Sequence, residues 1–212
     1  MGEITTASGF ATTAMGNNTT ASGDYTFAAG TKVSTNNHAG AFFFGDSDPH
    51  TKGVRNIGIN DQFAARFNGG YYFISDDAGA DIGVQVLPGG NAWVAICDKN
   101  RKENFEPLNG DDVLQKIARI NFTSWNYKMQ DAKKYRHYGI MAQDFYNAFG
   151  HDKYGTIGND TTVNPIDMIG IDMTAIQALE KRTSTLDSEN KDLRNEIAEL
   201  KTRLMKLEKL NR

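Results

Sequence analysis

A 14-residue repeat at the start of the chain most constrains the fold. The tetrapeptide TASG at residues 6–9 returns at residues 20–23, and AMG at residues 14–16 returns as AAG at residues 28–30. A looser third copy follows. Short repeats of glycine and small residues are typical of strand–turn units that bury little alone and must stack on their neighbours. The repeat region, residues 1–45, is therefore predicted to form a β-roll.

A flexible linker rich in glycine, threonine and alanine is the alternative interpretation of this region. A linker needs neither a fixed spacing nor side chains of the type that proteins usually bury. The region has the fixed spacing, and it also contains Ala14, Met15, Phe27 and Phe43. The β-roll is therefore the preferred interpretation.

Residues 46–96 have the pattern of β-strands joined by turns. Apolar and polar residues alternate within residues 57–67 and 82–86, and glycine-rich turns occupy residues 68–70 and 88–91. Alternation of this kind, bounded by turn residues, predicts strands and hairpins. This region is predicted to be a β-rich fibre segment.

Aromatic residues are dense between Phe42 and Trp93. Such clusters can stack on sugars, but they more often form a core or a subunit interface. The core interpretation is preferred.

Leucine recurs every seven residues at the end of the chain, which predicts a coiled coil over residues 175–212. An asparagine in the core lowers stability but fixes the register, and a leucine seam does not settle the number of strands. The predicted core residues are Leu179, Leu186, Asn190, Leu193, Ile197, Leu200, Leu204 and Leu207.

Residues 97–174 are predicted to be mixed α/β. Asp111 or Asp112 can cap a short helix, and residues 122–127 have the composition of a strand. A second helix is predicted over residues 140–149, with a glycine directly after it as a stop.

Composition excludes several classes of function. The net charge is −3 and no basic cluster is long enough to follow a phosphate backbone, so a nucleic-acid partner is not expected. No run of about 18 apolar residues is present, so membrane insertion is not expected. We predict no cofactor and no metal site.

Cys97 and Lys102 are the candidate chemical pair. They are five residues apart, which fits neither one helix face nor one strand face, so a turn or a second protomer must bring them together. A lysine acts as a base only when neutral, and burial or a nearby cation favours that form. The pair alone is weak support for catalysis, because a lone cysteine near a lysine is usually structural.

Several motifs occur in an order that resembles the intramolecular chaperone domain at the C-terminus of endosialidases and many phage tail fibres. They are Cys97-Asp98, Lys102-Glu103-Asn104-Phe105, Trp125-Asn126-Tyr127, and His137 followed by Gly139-Ile140-Met141-Ala142-Gln143-Asp144-Phe145. In that family a serine opens the domain and attacks the peptide carbonyl just before it, helped by a lysine.

The resemblance implies a role for each matching residue. Cys97 stands at the nucleophile position, Lys102 at the general base, and the bond between Ile96 and Cys97 at the cleavage site. His137 is expected to support cleavage or the local fold, although an ordinary hydrogen-bonded histidine is an equal alternative. The remaining candidates, Asp98, Glu103 and Asn104, either orient the turn or are simply solvated.

Cysteine in place of the family's serine changes the expected activity. Cysteine is a good nucleophile. A site shaped for a hydroxyl nevertheless places a sulfur badly, because the C–S bond is longer and the atom is larger, and small misplacements cost large factors in rate. We expect the self-cleaving endopeptidase to be slow or inactive in this form.

The repeat region resembles the head repeats of trimeric autotransporter adhesins. Together the two resemblances imply an elongated homotrimer: a β-roll and β-rich fibre segment, a small α/β chaperone domain over residues 97–174, and a trimeric coiled coil. The implied function is to trimerise and template a phage tail fibre or surface adhesin, with autoproteolysis at the 96–97 bond. The implied location is the virion after assembly in the host cytoplasm, or alternatively the bacterial surface.

A purely structural adhesin or receptor-binding fibre tip, without chemistry, is the alternative function. The partner would then be a host-cell surface glycan or receptor, bound through the aromatic-rich region.

Overall fold

The structure, a computed structural model, describes residues 1–48, 50–76 and 82–210. It divides into two compact units, Met1–Glu103 and Asn104–Arg212. The first is built mainly from β-strands, and the second combines α-helices with a two-stranded sheet. The fold is thus mixed and rich in β-structure.

A parallel β-solenoid opens the first unit. The strands stack in the order β1-β2-β3-β4-β6, and β5 pairs with β3. Their bounds are β1 (Gly2–Ala7), β2 (Thr13–Ala21), β3 (Phe27–Ser34), β4 (Phe42–Gly45), β5 (Arg55–Asn56) and β6 (Phe63–Arg66).

The sequence repeat sets the register of the solenoid. Gly16 lies opposite Gly2 on one side and opposite Gly30 on the other, and Ala14 lies opposite Ala28. Identical positions of successive repeats are therefore stacked directly on one another. The repeats thus stack as strands of a β-solenoid, and the flexible-linker alternative is wrong.

Small residues fill the solenoid core. Ala14 and Phe43 are buried as their type suggested, and Phe27 is half-buried between Phe42 and Phe44, at 6.0 and 5.3 Å between ring centroids. Met15 is 43% exposed. Successive side chains of a strand point to opposite faces, so burying Ala14 turns its neighbour outward.

An antiparallel sheet follows the solenoid. Its strands are β7 (Tyr71–Asp76), β8 (Ile82–Val86) and β9 (Val94–Ala95), in that order. Turns close where they were predicted: the Gly70 N–H donates to the Phe67 carbonyl over 2.9 Å, and the Gly90 N–H donates to Leu87 over 2.8 Å.

The aromatic cluster is only partly core. Phe43 is buried, whereas Phe63, Phe73 and Trp93 are 71%, 58% and 59% exposed. The preferred core interpretation is wrong for these three side chains within one chain. Phe63 begins β6, Phe73 lies in β7 and Trp93 precedes β9, and none of the three belongs to the buried cluster of the solenoid.

In the second unit, α1 (Gly110–Ile117) begins at a cap other than the predicted Asp111 or Asp112. The Asn109 side-chain oxygen accepts hydrogen bonds from the Asp111 and Asp112 N–H groups, at 3.0 and 3.2 Å. The cap is therefore Asn109. The two aspartates lie in the first turn, where their charge favours the positive end of the helix dipole.

The middle of the second unit agrees with the predicted elements. β10 (Thr123–Trp125) pairs antiparallel with β11 (His137–Gly139). The predicted second helix is α2 (Ala142–Phe149), which starts two residues later than expected and is followed by Gly150 as its C-cap.

The C-terminal helix α3 (Pro165–Leu210) is continuous and begins ten residues before the predicted coiled coil. Proline suits the first position of a helix, and the Asn164 side chain accepts a hydrogen bond from the Ile166 N–H over 2.9 Å. Near its start α3 packs on α1, where Ala175 is 8% exposed. Residues 211–212 of the predicted coiled coil lie outside the described residues. In the described part of the chain, no helix is long and apolar enough to cross a membrane.

Candidate functional site

A single 3₁₀ turn at Lys99–Arg101 builds the candidate site. Asp98 caps it, because its Oδ1 accepts hydrogen bonds from the backbone and side-chain N–H groups of Asn100, at 2.9 and 3.1 Å. The turn closes with backbone bonds from Arg101 to Asp98 and from Lys102 to Lys99, each 3.1 Å long. Asp98 therefore helps to shape the turn, which was one of the two roles expected for it.

The turn brings the two candidate chemical groups together. Lys102 Nζ donates a hydrogen bond to Cys97 Sγ over 2.9 Å. Both residues are exposed. The five-residue spacing left a turn or a second protomer as ways to join them, and the turn does so within one chain.

The peptide bond between Ile96 and Cys97 links the β7–β9 sheet to this turn. Ile96 follows β9 directly, and its backbone N–H donates to the Gly83 carbonyl of β8 over 3.4 Å. The Ile96 side chain is half-buried. The residue before the bond is thus held by the sheet, and the residue after it begins the turn.

His137 lies in the second unit, whereas Cys97 and Lys102 belong to the first. Its β11 position is paired with Trp125 of β10. The imidazole stacks on the Trp125 ring at 4.6 Å and 28°, and the Tyr127 ring meets it edge-on at 5.8 Å and 66°. His137 therefore sits in an aromatic cluster on the β10–β11 hairpin.

Arg136 supports this hairpin, although no pattern in the sequence indicated that role. Its guanidinium donates to the Asn126 side chain over 3.0 Å and to the Ser124 hydroxyl over 2.7 Å. Trp125 Nε1 is buried without a hydrogen-bond partner among the described residues. The signal available in the sequence was the aromatic run Trp125-Asn126-Tyr127, but nothing there showed that it would face His137.

The boundary between the two units falls within the predicted motif, between Glu103 and Asn104. Both are exposed. Asn104 has a φ of 56°, a left-handed conformation that asparagine adopts more readily than most residues. Its residue type thus suits the backbone at this point.

The predicted core residues of the coiled coil form one face of α3. The apolar members of that set are between 49% and 61% exposed. Asn190 donates its side-chain N–H to the Leu186 carbonyl of its own helix over 2.8 Å. Among the described residues, no group of three His, Cys, Asp or Glu side chains is placed to hold a metal ion.

Comparison with known families gives one match. Residues 97–152 match the family model described as chaperone of endosialidase. The match begins at Cys97, contains Lys102 and His137, and leaves the β-solenoid and α3 outside. No curated protein matches the chain.

Proposed function

We propose that this chain is the trimerising, self-processing folding clamp of a fibre, because residues 97–152 form a chaperone-of-endosialidase domain. One observation carries the proposal. The residue that opens the matched segment, Cys97, has the Lys102 amino group 2.9 Å from its sulfur. A nucleophile and a candidate base thus meet at the expected cleavage point.

The β-solenoid is what needs such a clamp. Its repeats are so alike that a register shifted by one rung buries similar surfaces, and long-range strand pairing is slow. Three α3 helices that associate first would hold three solenoids at a high local concentration. The small α/β domain would then template the last turns of the fibre.

Cleavage would remove the template after assembly. The Cys97 sulfur attacks the Ile96 carbonyl carbon, the bond from that carbon to the Cys97 nitrogen breaks, and the proton from the thiol passes through Lys102 to that nitrogen. Water then hydrolyses the resulting thioester. With serine at this position the intermediate is an ester. A fibre without its template cannot retrace its assembly path and is kinetically trapped.

Assembly would supply the burial of Lys102 that the single chain lacks. A lysine accepts a proton only in its neutral form, which burial favours. Lys102 and Cys97 are exposed in the single chain, and neighbouring copies are the proposed source of their burial. Cleavage is then coupled to correct trimer formation.

Intact mass and denaturing gels of the parent beside Cys97→Ser test this function. The serine variant is expected to split into residues 1–96 and 97–212, at least about a hundredfold faster than the parent, because sulfur is misplaced in a site shaped for oxygen. Cys97→Ala is the matched control and stays whole. Rapid cleavage of the parent would contradict the impaired site. Trimers of both forms that stay whole would remove autoproteolysis and leave a folding clamp.

A receptor-binding fibre tip is the second candidate function. Its support is a cleft of about 520 Å³ in the first unit, lined by aromatic side chains that include Phe63, Phe73 and Trp93. Phe73 and Trp93 contact each other at 5.5 Å between centroids and stay exposed. We propose a host-cell surface glycan as the occupant, on a phage virion or a bacterial surface.

Glycan-array binding tests the tip. Trp93→Ala is expected to weaken the binding of any glycan that the protein captures by roughly tenfold, because an aromatic face stacked on a sugar is lost. Phe10→Ala is the control, since Phe10 is 68% exposed and lies outside the cleft. Equal losses from both variants would argue against this cleft.

A further inference from the structure

α3 presents two different faces. Near its start one face packs on α1, where Arg182 pairs with Asp111 at 3.3 Å. The other face carries the apolar stripe, which nothing in the described part of the chain covers: Leu186, Leu193 and Leu200 are each more than half exposed. A stripe of this length on a single helix needs a partner helix.

The stripe fixes the heptad positions of the flanking charges. Thr183, Asn190, Ile197 and Leu204 occupy the a positions, and the leucines three residues after each of them occupy the d positions. The e positions are then Asp187, Arg194, Lys201 and Glu208, and the g positions are Arg182, Glu189, Glu196 and Arg203. In parallel coiled coils a g residue faces the e residue five places later on the next helix.

The two sets of charges complement each other in one alignment. With copies parallel and in register, opposite charges meet at four successive g–e contacts: Arg182 with Asp187, Glu189 with Arg194, Glu196 with Lys201, and Arg203 with Glu208. Within its own chain Asp187 pairs with Lys191, Arg203 with Glu199, and Arg182 with Asp111. Those pairs are exposed and contribute little, so they do not compete strongly with contacts between copies.

Shifted alignments lose this complementarity. A slip of one heptad in one direction sets Arg182 against Arg194 and Glu196 against Glu208, and keeps only Glu189 against Lys201 attractive. In the other direction Glu189 meets Asp187 and Arg203 meets Lys201, so half of the contacts become repulsive while Arg182–Glu180 and Glu196–Arg194 stay attractive. Slips of two heptads leave only like charges in contact: Arg182 meets Lys201 and Glu189 meets Glu208 in one direction.

The opposite two-heptad slip gives the same result, with Glu196 against Asp187 and Arg203 against Arg194. Like charges at these contacts are destabilising. Any slip also removes Asn190 from its own layer and sets it against another residue type.

We propose that α3 is a self-recognition surface whose eight e and g charges admit further copies of this chain only in the parallel, in-register alignment. The partner is a second and third copy of α3. The inference rests on the proposed trimerising function and deepens it. The alignment of the helices fixes the alignment of the chains that precede them, so it sets the register in which the solenoids begin to stack.

Charge reversal in the full chain tests this surface. Glu189→Lys with Glu196→Lys makes two g–e contacts repulsive at each helix–helix interface. Association measured by sedimentation at low salt is expected to weaken by about a hundredfold, as small pairwise changes sum over three interfaces. Adding Arg194→Glu and Lys201→Glu restores opposite charges and the parent's net charge, and is expected to restore association. All of these positions are exposed, so circular dichroism should show unchanged helix in the monomer.

Disulfide trapping reads the register directly. In a Cys97→Ala background, a chain with Leu207→Cys is expected to cross-link to itself. A mixture of Leu200→Cys and Leu207→Cys chains is expected to form few mixed disulfides, because these positions meet only after a one-heptad slip.

The possible failures differ from each other. A parent chain that stays monomeric overturns both the proposed function and this surface. A trimer that survives the charge reversal unweakened, or that forms mixed disulfides freely, overturns the charge-specified register and leaves the trimerising function standing.

Discussion

Replacing Lys102 with methionine in the Cys97→Ser variant is expected to slow cleavage after Ile96 by roughly 10²–10⁴-fold, the usual contribution of a general base. The reason is geometric. Lys102 Nζ lies 2.9 Å from the atom at the nucleophile position, and the 3₁₀ turn that holds it there does not involve the ammonium group. Methionine keeps the length of the side chain and removes the proton acceptor. The measurement is a time course of intact mass on assembled protein.

Two controls separate proton transfer from charge. Lys102→Arg keeps the positive charge, and because its guanidinium stays protonated it cannot accept a proton. This variant is therefore expected to be as inactive as the methionine variant. Lys206→Met removes the same charge from an exposed position of α3 and is expected to cleave normally. Sedimentation must show that every variant assembles. Cleavage by the Lys102→Met form at the unchanged rate would remove Lys102 from the mechanism.

The repeat predicted the solenoid well because its information is periodic. A fixed spacing of 14 residues demands that Gly16 meet Gly2 and Gly30 whatever the details of the turns, and the strands pair in that way. The same holds for α3, since a leucine every seven residues indicates a helix without reference to any other part of the chain. Its start at Pro165 was missed, because the residues before the first leucine lack the heptad pattern.

Predictions that depended on one residue among similar neighbours were less accurate. Asn109, Asp111 and Asp112 are all good caps, and the sequence does not say which backbone conformation each adopts. The exposed aromatic residues were misjudged for a related reason. Aromatic residues are usually buried, but the buried cluster of the first unit consists mainly of alanine, together with Val33, Phe43 and Ile57.

The candidate site likewise combines a feature that the sequence predicted with features that it left open. The sequence identified Cys97 and Lys102 but left open how they meet, because a turn and a second protomer satisfy the same spacing. The structure decides for the turn, with Asp98 as its cap. The stacking of Trp125 on His137 was out of reach, since strands of three residues carry too little pattern to align with each other.

Replacing Gly16 with alanine is expected to destabilise the solenoid by more than about 3 kcal/mol, a loss typical of severe strain in a packed element. Gly16 has a φ of 117°, and a Cβ there would lie 1.9 Å from the Gly30 carbonyl oxygen of the next rung. The methyl group cannot avoid that oxygen without separating β2 from β3. Hydrogen exchange of amides in β2 and β3 is therefore expected to become at least a hundredfold faster, which corresponds to a free energy of opening lower by about 2.7 kcal/mol.

Gly53→Ala is the matched control, because Gly53 also has a positive φ, 71°, but has no atom within 4 Å of its added Cβ. That variant carries the backbone strain alone and is expected to lose about 1 kcal/mol. If the two variants exchange alike, the cost at Gly16 comes from its backbone conformation, and close stacking of the rungs does not require glycine there.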